Sequence, residues 1–223
     1  MQTVRASSIS QPAPATLLRH ISLPRTSPDT TLGSTRMVTK DEEIFAEGDR
    51  AGFLYKVVSG AVRTFRLLSD GRRQIDAFHL PGDIFGVETG EEHRFTAEAM
   101  ADTTFVVYRR CNLVTLDGGE LSRQVLTSMM RSLEHAQNHM LLLGRKNAVE
   151  KVATFLLVMS ERISTGNQVD LPMSRLDMAD HLGLTIETVS RSLTQLEREG
   201  IIDLPTHRSI VLLNKAALRR LGT

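Results

Sequence analysis

The sequence lacks the marks of most secreted, membrane and enzyme classes. Its single cysteine, Cys111, excludes an internal disulfide and a cysteine-only metal cage within one chain, and favours a reducing, cytoplasmic setting. Tryptophan is missing and aromatics make up only 4% of the residues. No apolar run approaches the roughly 18 residues of a membrane span, so a soluble protein with no membrane partner is expected. Acidic residues are missing from positions 1 to 28, where Pro12, Pro14, Pro24 and Pro28 interrupt any long helix. With no secretory h-region, residues 1–36 read as a flexible leader rather than a targeting segment. No G-x-S-x-G, Walker, Rossmann or metalloprotease motif occurs, so no catalytic residues are assigned and an enzyme is not expected.

What remains is an ordinary globular composition of 41% hydrophobic and 24% charged residues over 223 positions, enough for one or two domains with proper cores. The formal net charge is only +1, so bulk charge announces no nucleic-acid binder. Lys and Arg nearly balance Asp and Glu from Lys146 onward. Any DNA affinity must therefore come from charges placed locally.

The strongest local pattern is "LGLTIETVSRSLTQLEREGII", residues 182–202. Val189, Leu193 and Leu196 recur at helical spacing, while Glu187, Ser190, Arg191 and Thr194 fall on another face. Upstream, Ser174 can cap a short helix running to Leu182, with Leu176, Met178, Ala179 and Leu182 directed inward. Gly183 then permits a tight turn, and Thr185 caps the second helix. Two helices around a Gly turn make a helix-turn-helix. The following "IIDLPTHRSIVLLN" reads as a β-hairpin, which makes the unit winged. In such a unit the second helix enters the major groove, where Arg can bind guanine bidentately and a carboxylate can accept from cytosine. Glu187, Ser190 and Arg191 are the candidate base readers. Lys146, Arg175, Thr185, Thr194 and Arg208 are the candidate DNA-backbone contacts.

Between Ile44 and Tyr108, frequent glycines separate short β-rich runs such as "FLYKVVSGAVRTFRLL" and "TTFVVY", which predicts a compact β-barrel or roll. "LLSDGRRQ" adds an Asp-Gly hairpin signal. After Cys111 the period changes: Leu126, Met129, Leu133, Ala136, Met140 and Leu143 step by alternating threes and fours, the seam of a coiled coil. The seam fits either its own β domain or a partner helix. A parallel homodimer would set two recognition helices side by side on a two-fold-symmetric double-stranded DNA site.

In this order, "IFAEGD", "YKVVSGAVRTFRLLSDGRRQ", "HLPGDIFG", the seam helix and "LGLTIETVSRSLTQLEREGII" resemble the Crp/Fnr transcription regulators, over about residues 40–214, and within them the FixK-like branch of the Fnr type. The resemblance implies an α+β fold: an N-terminal cyclic-nucleotide-binding-like β-roll (37–112), a long dimerisation helix (113–146) and a C-terminal winged helix-turn-helix (147–223). Glu187, Ser190 and Arg191 match the Fnr-type Glu-x-x-Ser-Arg pattern. The resemblance further implies an activator that meets RNA polymerase and binds a TTGAT-N4-ATCAA-like palindrome.

It also implies which switches to look for. The family's cyclic-nucleotide cassette has a Gly-Glu pair for the ribose and an Arg-Ser pair for the phosphate. Here Val87 follows Gly86 and Phe95 follows Arg94. Oxygen-sensing members carry an N-terminal cysteine cluster, and this leader has no cysteine. No cofactor is therefore expected, and Cys111 reads as a small, partly buried apolar residue. His135 and His139 are spaced to share a metal but lack the His-Glu-x-x-His order, so they read as surface histidines, and His79 reads as structural. The expectation is a regulator that binds DNA without cAMP or an iron–sulfur cluster. The alternative is an effector-responsive Crp-type regulator with a divergent pocket in the β-roll. A protein-binding module without DNA contact would leave Glu187 and Arg191 idle.

Overall fold

The computed structural model describes residues 33–111 and 120–222. The expected leader up to residue 32 and the expected start of the long helix at 113 lie outside the described residues. The chain passes through β1 (Ser34–Val38), β2 (Glu43–Phe45), β3 (Phe53–Ser59), β4 (Val62–Leu67), β5 (Arg73–His79), β6 (Ile84–Phe85), β7 (Thr96–Ala99) and β8 (Thr103–Arg109). Two antiparallel sheets, ordered β1-β8-β3-β6 and β2-β7-β4-β5, form the roll. The leader boundary needs correction. Ser34, Thr35 and Arg36 already pair with Val107, Val106 and Phe105, because the edge of β8 offers a ladder that satisfies their backbone groups.

The rings of Phe45, Tyr55, Phe85 and Phe105 fill the roll between the sheets, along with Val57, Val62 and Val107. The Asp-Gly hairpin joins β4 to β5 as expected. Leu68 N donates to Arg72 O at 2.8 Å and Gly71 N to Leu68 O at 2.9 Å. Gly71 sits at φ 83°, a region that glycine enters without a Cβ clash.

The long helix α1 (Glu120–Arg145) leads to α2 (Ala148–Ile163). Asn147 caps α2 through a reciprocal box with Glu150. One face of α1 serves the roll: Val125 is buried against Leu54 and Ile84, with Leu121 alongside. The seam faces elsewhere. Leu126, Met129, Leu133 and Met140 are 60%, 46%, 61% and 67% exposed, and Ala136 is exposed too. Leu143 departs from the seam and packs on the C-terminal core, because the end of α1 is close to the tight turn at Gly183.

The C-terminal unit continues with β9 (Gln168–Asp170), α3 (Arg175–Leu182), α4 (Ile186–Arg198), β10 (Ile202–Asp203), β11 (Ser209–Leu212) and α5 (Lys215–Gly222). Its core of Val152, Leu156, Met173, Met178, Leu182, Val189, Leu193, Leu196, Ile202, Ile210 and Leu218 is continuous with Ile75 and Phe78 on the outer face of β5. The roll and the helix-turn-helix therefore share buried apolar surface, which disfavours free rotation between them.

Candidate nucleic-acid interface

The helix-turn-helix is built as its capping residues dictate. Ser174 Oγ accepts from Asp177 N at 3.1 Å, and Asp177 Oδ2 accepts from Ser174 N at 2.9 Å. Gly183 ends α3 at φ 61°, ψ 43° with its N–H on Ala179 O, the left-handed cap that turns the chain. Thr185 then opens α4, accepting from Thr188 N at 3.3 Å. One expectation fails here. Leu176 is 50% exposed, while Met178, Ala179 and Leu182 are buried. At 3.6 residues per turn it lies about 110° from the mean direction of those three, outside the buried face.

On α4, Val189, Leu193 and Leu196 are 0–1% exposed, leaving the opposite face to the polar set. Glu187 and Arg191 are exposed, and Ser190 and Thr194 are half-buried. Hydrogen bonds from its own backbone amide and the Thr185 hydroxyl, together with Arg191 one turn on, hold the Glu187 carboxyl below the usual range. Across the turn, Arg175 Nη1 donates to Ser190 Oγ at 3.5 Å. Thr185 is engaged in the cap, at the mouth of the same surface.

The wing is a β10–β11 hairpin in the register Ile202↔Leu212 and Asp203↔Val211. Its loop exposes Pro205, Thr206, His207 and Arg208. Arg208 Nη1 reaches Pro172 O at 3.4 Å, so the wing lies beside the segment that leads into α3. A third strand, β9, pairs Val169↔Ile210. Sequence reading missed it, although the turn at Gly166 and the buried Val169 between exposed Gln168 and Asp170 carry a short period-two signal.

Other expected residues land elsewhere. The Lys146 ammonium bonds Thr154 Oγ1 at 3.1 Å and the carbonyl of Gly222. It ties the end of α5 to α2, where those helices pack, rather than joining the surface of α4. Cys111 is exposed, not partly buried, since it follows the last strand of the roll instead of facing its core.

His135 is exposed, but His139 is half-buried and its ring stacks on that of His181, an aromatic pairing that spacing within α1 does not reveal. His79 Nε2 lies 3.0 Å from Thr64 Oγ1, and burial of its ring pushes its pKa down to about 4. In the segment expected to resemble a nucleotide cassette, Arg94 Nε donates to Glu88 Oε2 at 2.8 Å and its amide to Glu88 Oε1 at 3.1 Å. The Arg94 guanidinium also lies over the ring of Phe95, 5.7 Å from its centroid.

A capped helix-turn-helix with a polar second helix and an adjoining wing, carried on a β-roll by a long helix, defines a winged helix-turn-helix DNA-binding regulator. The Crp-like helix-turn-helix domain matches residues 150–221 and the cyclic nucleotide-binding domain residues 35–116. The nitrogen fixation regulation protein FixK of Azorhizobium caulinodans is 48% identical over 199 residues, covering 86% of this chain and 80% of that relative. The transcriptional activatory protein AadR of Rhodopseudomonas palustris is 43% identical, with 72% and 70% covered. The solved structure of FixK2 from Bradyrhizobium japonicum superimposes with a TM-score of 0.81 at 48% identity, covering 86% of this chain and 98% of that one. The chain belongs to the Crp/Fnr family of transcription regulators, in its FixK-like branch. It is a DNA-binding regulator and not an enzyme.

Proposed function

We propose that the protein acts as a homodimeric transcription activator that reads an Fnr-type palindrome of the TTGAT-N4-ATCAA kind and meets RNA polymerase at the promoter, within the cytoplasm. The observation that carries this reading is the exposed pair Glu187 and Arg191 on a helix whose other face is buried. Arg191 pairs with guanine, Glu187 with the partner cytosine or a neighbouring base, and Ser190 lies near a thymine methyl. Arg175, Thr185, Thr194 and Arg208 surround that face and suit phosphate contacts. The open seam Leu126, Met129, Leu133, Ala136 and Met140 supports a second copy as its partner, since an apolar stripe of this length is unfavourable in water.

Binding proceeds without a cyclic nucleotide. The residues do not fit that ligand: Val87 and Phe95 offer no polar groups to a ribose or phosphate, and Arg94 is already held by Glu88. The leader, without cysteine, supplies no ligands for an iron–sulfur centre. A second reading has one observation in its favour, a cavity of about 920 Å³ bordered by Lys56, Asp83, Arg131, His135, Phe155 and Arg162. Its walls come from β3, β5 and β6 of the roll and from α1 and α2.

Selection of bound sequences from random DNA, followed by aerobic gel shifts with and without cAMP, tests the proposal. The expected result is the palindrome, shifted equally in both cases. An unrelated motif, or a large gain in affinity with cAMP, would overturn it.

A further inference from the structure

The charged contacts between the roll and the helix-turn-helix are more buried than surface ion pairs. Arg63 of β4 has a side chain only 12% exposed, and Asp177 of α3 one only 5% exposed. The Asp177 carboxylate is divided between two tasks. Its Oδ2 takes the Ser174 amide at 2.9 Å and hydroxyl at 2.7 Å, completing the cap of α3. Its Oδ1 takes Arg63 Nη1 at 2.9 Å and Arg73 Nη2 at 2.7 Å. Arg73 Nε also donates to Asp180 Oδ2, one turn further along α3, at 2.8 Å. Arg63 is held from behind by Glu98 of β7, so the roll supplies a prepared cationic socket for the start of α3. Burial alone would raise the Asp177 carboxyl, but the Ser174 bonds and the two guanidinium groups outweigh it and hold the carboxyl below the usual range.

We propose that Arg63 and Arg73 are positioning residues for DNA recognition, clamping α3 through Asp177 and Asp180 so that α4 is presented to DNA in one fixed direction. The proposal rests on the reading of α4 as the recognition helix.

Buried ion pairs are poor sources of net stability, because desolvation consumes most of the Coulombic gain. Their contribution is direction, since misaligned partners leave a charge unpaired. Direction is what this architecture needs. A dimer must place its two recognition helices about 34 Å apart to enter successive major grooves. Between α1 and α2 the chain leaves the helical region at Asn147, where φ is −74° and ψ 173°, so the long helix does not by itself fix the DNA-binding unit. Met178, Ala179 and Leu182 of α3 share one core with Val189 and Leu193 of α4, so whatever orients α3 orients α4. If the loss of the clamp leaves about a tenth of the molecules correctly oriented, apparent affinity falls about tenfold.

The test uses the full chain and an operator selected from random DNA by the unmodified protein, so it does not depend on the palindrome named above. Arg63→Ala, Arg73→Ala, Asp180→Ala and the charge-keeping Asp180→Glu are compared on the operator and on a scrambled duplex at one salt concentration, with melting temperature and sedimentation as controls. Asp180→Ala is the sharpest arm, because removing an anion should tighten binding to any DNA if only bulk electrostatics acts. The clamp requires the opposite: operator Kd rises about tenfold, the scrambled-duplex Kd stays within about twofold, and Asp180→Glu, which keeps the anion for Arg73, retains most of the operator affinity. An unchanged or tighter operator Kd in Asp180→Ala, or equal weakening on both duplexes, overturns the clamp. An unmodified chain that enriches no sequence at all would instead refute the DNA-reading proposal, and the clamp with it.

Discussion

The imidazole of His181 on α3 stacks on that of His139 on α1, with ring centroids 4.2 Å apart and planes inclined by 21°. His181 Nδ1 lies 3.2 Å from Ile75 O of β5, so one side chain joins the long helix, the roll and the helix-turn-helix. Burial, then the neighbouring His139, pushes the His181 pKa down to about 3, against the pull of the Ile75 carbonyl. Burial and Lys151 lower His139 as well. An unfolded histidine titrates near 6.5, so between about pH 6.5 and pH 3 the unfolded chain binds protons that the folded one refuses. Stability is then full above pH 6.5 and falls as pH drops through that window, at no more than about 1.4 kcal/mol per pH unit for one histidine. Melting temperatures from pH 8 to pH 5 should show this decline, and His181→Gln should make it shallower by one histidine's share, the rest coming from groups such as the buried His79, even if its plateau is lower. An equally steep decline in the variant would show that His181 is not the group responsible.

Gly183→Ala tests the turn. Among the described residues a Cβ there would meet only Leu143 Cδ2, at 3.5 Å, so space is not the constraint. The φ of 61° is the constraint, and an L-residue in the left-handed region costs about 1–2 kcal/mol. Denaturant unfolding should show a loss of that size with an unchanged slope. No loss would mean that the turn relaxes to another cap.

The parts of this protein written in local periodicity are legible in its sequence. Val189, Leu193 and Leu196 declare the buried face of α4, Ser174 and Thr185 declare two caps, and Asp70-Gly71 declares a hairpin, because each signal spans only a few residues. The seam is legible as an apolar stripe, but the side it faces is not: Val125, one residue from Leu126, is the one that meets the roll. Pairings between distant segments leave no trace in local pattern. Arg63 and Asp177 are 114 residues apart, and nothing near either predicts the other. His139 reads as a surface histidine for the same reason, since its partner His181 belongs to another element, and Lys146 reads as a DNA contact because the carbonyl it binds lies 76 residues away.

Arg191 and Arg208 should fail differently. On the proposed reading Arg191→Ala would remove a bidentate base contact, and it should cost about 1–3 kcal/mol on the operator while relaxing preference at one position per half-site. Arg208, at the wing and held loosely by Pro172 O at 3.4 Å, suits a phosphate. Arg208→Ala should weaken operator and random DNA alike and reduce the salt slope by about 1 for each phosphate it neutralises. Gel shifts over a salt series, with a library of half-site variants, separate the two. A uniform loss for Arg191→Ala would remove its base-reading role.

Leu133→Asp tests the seam without disturbing the fold of the single chain. Leu133 is 61% exposed there, so a carboxylate at that place stays in water and the monomer should still unfold cooperatively, at a temperature lowered only by the lost linkage to dimerisation. In a two-fold dimer the same change sets two like charges opposite each other in an apolar interface. An uncompensated buried charge costs on the order of 3–5 kcal/mol, enough to raise the dimer dissociation constant by about two orders of magnitude or more. Sedimentation should find a folded monomer, and operator affinity should fall with it, because one recognition helix would read only half of the proposed palindrome. If Leu133→Asp sediments as a dimer, the seam is not the interface. If a folded monomer keeps full operator affinity, recognition does not need two copies.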